Sequence, residues 1–186
     1  PFAAEAYAKK QWAFVSDYVR AWAIYNFGGT YFDTDIFCVK DISPLLKNKA
    51  FVGFESPSFP FTAVFGAEAK HPLVKDMLDY YEGKSMGFNF SDNNTISVSE
   101  LLIKKYACVP NNKEQKLISG IRVYPDGILC NPSQKSYTTH LFYGGWSSSG
   151  RNFRNKIREI IRAFILTTPS RLNFYFWLKS KISKNK

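Results

Sequence analysis

Tyr25-Asn26-Phe27-Gly28-Gly29-Thr30-Tyr31-Phe32-Asp33-Thr34-Asp35-Ile36-Phe37-Cys38-Val39 is the stretch around which the rest of the chain is read. A helical pattern stops at Gly28-Gly29, because glycine accepts the left-handed conformation of a helix end. Thr30-Tyr31-Phe32 and Ile36 to Val39 are β-type runs, with Asp33 and Asp35 between them. In an extended segment residues i and i+2 point to the same side, so the two carboxylates are expected to share a face. At ~5 Å and an effective dielectric of ~20 they repel by roughly 3 kcal/mol. Protonating one of them, or placing a divalent cation nearby, relieves that repulsion. Mg²⁺ and Mn²⁺ take hard oxygen ligands and are often shared between carboxylates and phosphate oxygens, so a metal-bound diphosphate is the natural ligand. The plain alternative is a polar turn with both carboxylates solvated. An aspartyl-phosphate phosphatase also places D-x-D after an apolar strand. There a loop leading to a helix should follow, whereas Ile36-Phe37-Cys38-Val39 resumes a strand at once.

Upstream, residues 2–26 read as one long helix. Tyr7, Gln11, Phe14, Tyr18, Trp22 and Tyr25 recur at spacings of three and four, which predicts a largely aromatic inward face. Asp17 and Arg20 share a face at that spacing. A surface pair of this kind contributes only ~0.3–0.5 kcal/mol. Asp17, however, lies in a mostly apolar stretch with Val15 and Tyr18, and partly buried charges need partners. Sugar hydroxyls suit both a carboxylate and a guanidinium. Downstream, 50–55, 61–66, 120–125 and 137–143 read as strands, His71-Pro72 opens a helix to about Tyr81, and another helix covers 96–106. The Asn/Ser-rich stretch at 89–95 reads as a loop. Interleaved helices and strands point to an α/β or α+β layered domain.

The 186 residues are enough for one ordinary domain, and 45% hydrophobic against 22% charged residues excludes a disordered chain. No uncharged apolar run reaches the ~18 residues of a membrane span. The start, with Glu5, Lys9 and Lys10, does not read as a signal peptide, and the opening at Pro1 reads as a fragment or processed product. The net charge of +10 is unevenly placed: residues 1–150 carry 15 Lys/Arg against 14 Asp/Glu, residues 151–186 ten against Glu159 alone. Nucleic-acid binders usually carry their basic patch on the fold itself, so no nucleic-acid partner is expected. A neutral body with a basic appendage better suits a membrane-surface anchor. In that appendage Arg154, Arg158 and Arg162 oppose Phe153, Ile157, Ile160, Ile161, Phe164 and Ile165. After Pro169 comes Leu172-Asn173-Phe174-Tyr175-Phe176-Trp177-Leu178, then Lys179, Lys181, Lys184 and Lys186. An amphipathic helix packed on the domain, with a solvated basic end, is the alternative. Cys38, Cys108 and Cys130 are odd in number, far apart and without metal-ligand spacing, and read as free thiols.

The run Phe14-Val15-Ser16-Asp17-Tyr18-Val19-Arg20 and the run Tyr25 to Asp35 together resemble the sugar-binding, DXD-containing region of glycosyltransferase family 32. Phe51-Val52-Gly53-Phe54-Glu55, the His71-Pro72 helix start and His140-Leu141-Phe142-Tyr143-Gly144-Gly145-Trp146 extend the resemblance over roughly residues 1–150. That family includes fungal Golgi mannosyltransferases and bacterial capsule and lipopolysaccharide transferases, and the glucosylating clostridial toxins share its core more distantly. The resemblance implies an α/β, GT-A type (Rossmann-like) nucleotide-sugar transferase core at 1–150, N-terminally truncated, with basic amphipathic helices at 151–186. It implies a metal-dependent, retaining, front-face transfer from a UDP- or GDP-linked sugar to a glycan or lipid-linked oligosaccharide, in surface polysaccharide biosynthesis. The cofactor would be Mn²⁺ or Mg²⁺, held by Asp35, Asp33 and His140. Asp33, Asp35 and Trp146 would be catalytic, and Ser16, Asp17, Arg20, Tyr31, Glu55, Asn94 and Ser147 would bind substrate. The place implied is cytoplasmic, peripheral at the inner face of the plasma membrane, or the Golgi lumen for a eukaryotic parent, with an anionic membrane surface as partner. Relative to the family, several dozen residues before Pro1 are missing, including a strand of the nucleotide-base pocket, and the usual polar residue around Thr62-Ala63 is not clearly matched. The alternative reading is therefore a catalytically inactive remnant acting at most as a binding module.

Overall fold

A computed structural model, which describes residues 2–82, 94–142, 160, 163–166 and 168–183, divides the expected long first helix into α1 (Phe2–Ala8) and α2 (Trp12–Phe27). The break is a Schellman stop. Lys10 takes φ 56°, Lys10 N–H donates to Tyr7 C=O at 3.0 Å, and Gln11 N–H donates to Ala6 C=O at 2.9 Å. A lysine in that conformation costs about 1 kcal/mol, and no glycine stands there to announce it. The inward face of α2 also differs from the aromatic one expected. Asp17, Ala21 and Ile24 form the buried stripe, with Tyr18 and Tyr25 packed beside it, while Tyr7 (64%) and Trp22 (46%) stay exposed.

The helix ends at Gly28, φ 69°, whose N–H donates to Ile24 C=O at 2.8 Å. A Cβ there would lie 2.9 Å from the Ala69 nitrogen and 3.2 Å from the Ala67 oxygen, so glycine is required on both counts. The chain continues through β1 (Gly29–Phe32), β2 (Ile36–Cys38), β3 (Ala50–Gly53) and β4 (Val64–Ala67). Then come α3 (Pro72–Asp79), α4 (Asn94–Tyr106), β5 (Gln115–Lys116), β6 (Ile121–Tyr124), α5 (Asp126–Leu129), β7 (Thr138–His140) and α6 (Pro169–Ser183). His71 caps α3: its Nδ1 accepts the Leu73 N–H at 3.2 Å, and its Nε2 lies 3.0 Å from the Ser119 carbonyl. These contacts put the proton on Nε2 and leave this histidine a structural job.

Among the described residues one sheet runs β1-β4-β3-β6-β5, and β2 pairs with β7 in a separate two-stranded ribbon. Only β3 and β6 run parallel, so the sheet is mixed. Its two faces separate cleanly by alternation along β3 and β4. Ala50, Val52 and Phe65 join Ala21, Ile24, Leu73, Met77, Val98 and Leu102 on the helical side. Phe51 and Val64 join Leu45 and Leu129 on the other. Gly66 lies where β4 passes under that second cluster. A Cβ there would run into the Phe51 ring, 2.8 Å from Cζ, and sit 3.0 Å from the Gly29 oxygen. Gly66→Ala should therefore destabilise by about 1–3 kcal/mol, read as a lower urea midpoint with an unchanged slope.

The end of the chain packs back on this body. Leu166 and Leu172 are buried with Val39 and Leu141, and Phe176 packs beside them. Phe153, Arg154, Ile157, Arg158, Ile161 and Arg162 of the expected basic stripe lie outside the described residues. Among the described residues, no helix is long and apolar enough to cross a membrane. No disulfide joins the three cysteines, of which Cys108 and Cys130 are buried and Cys38 is exposed.

Candidate active site

Asp33-Thr34-Asp35 is a turn, not the extended segment expected. Ile36 N–H donates to Asp33 C=O at 3.1 Å, and Asp33 N–H donates to Ala63 C=O at 3.0 Å. The carboxylates thus converge by chain reversal rather than by the strand pleat. The β2–β7 register sets Ile36 opposite His140, and Leu141 N–H donates to Asp35 C=O at 3.0 Å. That pairing carries His140 Nε2 to 3.2 Å from Asp35 Oδ1. The ring is stacked on Phe142 with centroids 3.9 Å apart. One ligand atom each from Asp33, Asp35 and His140 all lie within 4.8 Å of one another.

From α2, Arg20 reaches the same turn. Its Nη1 lies 3.2 Å from Asp33 Oδ1 and its Nη2 2.9 Å from Asp17 Oδ1. Nε donates to the Ser16 carbonyl at 3.2 Å, Nη2 donates to Ser16 Oγ at 2.9 Å, and the guanidinium lies 4.3 Å over the Tyr31 ring. Tyr31 closes the circuit, its hydroxyl donating to Asp33 Oδ1 at 2.7 Å. Asn94, the first residue of α4, donates through Nδ2 to Asp17 Oδ1 at 3.3 Å. Its Oδ1 is buried and, among the described residues, has no hydrogen-bond partner.

Burial dominates the electrostatics here. It raises the Asp17 pKa from 3.8 to about 6, against the lowering pull of Arg20 and the Asn94 hydrogen bond. Burial also raises the Tyr31 phenol. It raises the Glu55 carboxyl, with His140 and a Thr95 side-chain hydrogen bond opposing and Asp33 adding to the shift.

A family model described as "Glycosyltransferase sugar-binding region containing DXD motif" matches residues 1–52. This part of the chain is similar to that family's DXD region. A curated relative, inositol phosphoceramide mannosyltransferase 3 of Schizosaccharomyces pombe, is 37% identical over 59 residues, which are 32% of this chain and 17% of that protein. The chain therefore matches less than a fifth of that relative's length. No solved structure matches significantly. The mixed α/β sheet fits a GT-A-like glycosyltransferase domain, as the sequence resemblance implied.

The matched region, residues 1–52, supplies Ser16, Asp17, Arg20, Tyr31, Asp33 and Asp35 to one cluster, and the fold adds Asn94, Glu55 and His140 from later in the chain. Trp146 and Ser147 lie outside the described residues. Ser16 serves Arg20, with its own hydroxyl donating to the Ala13 carbonyl at 2.7 Å. Two contributors had not been singled out: Phe142, against which His140 stacks, and Thr95, which bonds Glu55. The Asn94-Thr95 pair opening α4 was the available signal for the second; for Phe142 only its place two residues after His140 pointed to it.

Two carboxylates and an imidazole form a donor set that fits Mn²⁺ or Mg²⁺. Their 4.8 Å envelope is close to twice a metal–oxygen distance of about 2.1 Å, a difference that small side-chain rotations remove.

The raised Asp17 pKa makes a stability prediction. The folded value lies above the unfolded one, so ionising Asp17 costs the native state. Stability contributed at this residue is greatest below about pH 4, falls between pH 4 and 6, and is level above. The fall amounts to about 3 kcal/mol for a shift from 3.8 to about 6. Asp17→Asn should remove that slope and be the more stable protein above pH 6, as urea unfolding between pH 4 and 8 would read. An unchanged pH profile in the variant would contradict the assignment.

Proposed function

We propose that the chain carries the donor-binding centre of a metal-dependent, retaining glycosyltransferase that moves a sugar from a nucleoside-diphosphate donor to a glycan or lipid-borne acceptor. The observation that carries this reading is the convergence of the Asp33, Asp35 and His140 ligand atoms beside the buried Asp17–Arg20 pair. The match of residues 1–52 to the DXD family model and the similarity to a mannosyltransferase named for inositol phosphoceramide support it.

Asp35, Asp33 and His140 would hold the divalent cation, which when bound offsets the negative charge developing on a diphosphate leaving group. The side chains of the chain itself do the rest. Arg20 is fixed by four protein acceptors and by Tyr31, so it presents a preorganised positive charge without reorganisation at the moment of reaction. It also holds the Asp33 carboxylate in place. Asp17, ionised above about pH 6, accepts hydrogen bonds from hydroxyls of the donor sugar. The Asn94 carbonyl oxygen accepts another, a bond that would satisfy its buried acceptor. Glu55 binds substrate on the His140 side. Glycosyl transfer passes through an oxocarbenium-like transition state. We read the transfer as front-face, with the acceptor entering on the side from which the diphosphate leaves.

The test is incubation with a panel of UDP- and GDP-sugars, with and without Mn²⁺ or Mg²⁺, followed by NMR of the product anomer. Metal-dependent release of the nucleoside diphosphate with retained configuration is expected. Turnover that survives chelation, or an inverted product, would contradict the reading. Because Asp17 must be ionised, donor affinity should fall as pH drops below about 6.

A further inference from the structure

We infer that the outer face of α6 is a docking surface for an anionic lipid bilayer. Ser170, Asn173 and Ser180 are exposed on the helix, yet the face opposite its buried residues is mostly apolar. Leu172 is buried against Val39 and Leu141, and Phe176 packs in the same cluster. The opposite face is apolar as well: Phe174 is 59% exposed, Trp177 53% and Leu178 40%. Phe174 and Trp177 stack on each other, centroids 5.7 Å apart.

The face extends beyond the helix. Arg171 Nη1 donates to the Phe164 carbonyl at 3.3 Å, and its guanidinium lies 4.0 Å over the Phe164 ring. Phe164 is exposed beside it, and so is Ile160 one turn earlier in the chain. An exposed run of two aromatic, two aliphatic and one further aromatic side chain would be a liability in water.

Charge identifies what covers it. Residues 151–186 contain ten Lys/Arg and a single acid, Glu159, whereas the preceding 150 residues are nearly neutral. A partner that is apolar within and negatively charged at its boundary suits both the exposed apolar face and the basic composition of this segment. A bilayer with anionic headgroups has both properties, and an aromatic, basic, acid-poor segment is what lies stably in its interface. The aliphatic members Ile160 and Leu178 argue against single-stranded nucleic acid, which is gripped by aromatic stacking and cations.

The geometry also places the site. Leu172 seats α6 on Val39 and Leu141, the residues immediately after β2 and β7, and those two strands carry Ile36 and His140. A bilayer on the outer face of α6 is then separated from the β2–β7 ribbon by one helix diameter, about 10–12 Å.

Vesicle flotation of the full chain tests this, with phosphatidylcholine vesicles and phosphatidylcholine–phosphatidylglycerol vesicles as probes. The protein should float with the anionic vesicles, and raised salt should weaken the binding. Lys179→Gln and Lys181→Gln should each lower the partition coefficient about five-fold. Phe174→Ser with Trp177→Ser should lower it at least about ten-fold. Trp22→Ser, which removes an exposed aromatic from α2, should leave it unchanged, and circular dichroism checks that each variant is folded. Equal flotation with neutral vesicles, or loss on Trp22→Ser with retention in the α6 double variant, would overturn the proposal. So would a dimer that dissociates on Trp177→Ser in a protein that does not float, or salt-sensitive RNA binding without flotation. Flotation does not depend on donor binding, so this result and the transferase reading stand or fall separately.

Discussion

Asp35→Ala should reduce metal-dependent sugar transfer on the order of 10³-fold, the several kcal/mol that a bound cation contributes to a developing anion. The expected result is specific because the structural duties of Asp35 are carried by its backbone. Its carbonyl accepts the Leu141 N–H at 3.0 Å and so joins the turn to β7, a bond that alanine keeps. The side chain instead faces His140, 3.2 Å from Nε2, and supplies one of three converging ligand atoms. Unfolding midpoints of the variant should therefore stay close to those of the parent while metal dependence disappears. Asp35→Asn should fall nearly as far, since it preserves shape and removes charge. A variant that is folded and still active with Mn²⁺ would show that the cation sits elsewhere.

The second large effect is on stability. Arg20→Met should destabilise by about 3–5 kcal/mol at pH 8, because it leaves a buried carboxylate without its counter-charge. Arg20 is the junction of Asp17, Asp33, both polar groups of Ser16 and the Tyr31 face. With the guanidinium gone, Asp17 should keep its proton to higher pH than the about 6 it has now. The loss should accordingly shrink toward pH 5, where Asp17 is neutral in both proteins. Arg20→Lys should recover only part of the stability, since one ammonium cannot span acceptors that the planar fork reaches together. In the double variant Arg20→Met/Asp17→Asn the penalty should largely vanish. Urea unfolding of the four proteins at pH 5 and pH 8 gives the comparison, and equal losses at both pH values would contradict it.

What could be read in the sequence was local. Gly28-Gly29, the β-type runs on either side of Asp33 and Asp35, and the His71-Pro72 helix start each depend on neighbouring residues, and the fold places them as expected. Asp17 and Arg20 were legible as a pair because helical spacing alone brings them to 2.9 Å. What escaped was set at a distance. The break at Lys10 uses a non-glycine residue at positive φ, which composition does not flag. The inward face of α2 is set by how it packs on α3 and the sheet, and there Ala21 and Ile24 prevail over larger aromatics. The Asp33–Asp35 reversal depends on the Ala63 carbonyl. The approach of His140 to Asp35 follows from a strand pairing between residues more than a hundred positions apart. β5, two residues long, carries no periodicity to detect.

The central claim is that Asp33, Asp35 and His140 form a cation site that serves a nucleotide-sugar. Thermal unfolding with Mn²⁺ and UDP- or GDP-sugars, added together and separately to the parent chain and to Asp35→Ala, tests it most directly. At a ligand concentration one hundred times the dissociation constant, stability should rise by about 2.7 kcal/mol. The predicted result is a shift with one class of donor that requires Mn²⁺ and is absent in Asp35→Ala. A donor shift of equal size in Asp35→Ala, or one indifferent to Mn²⁺, would contradict it.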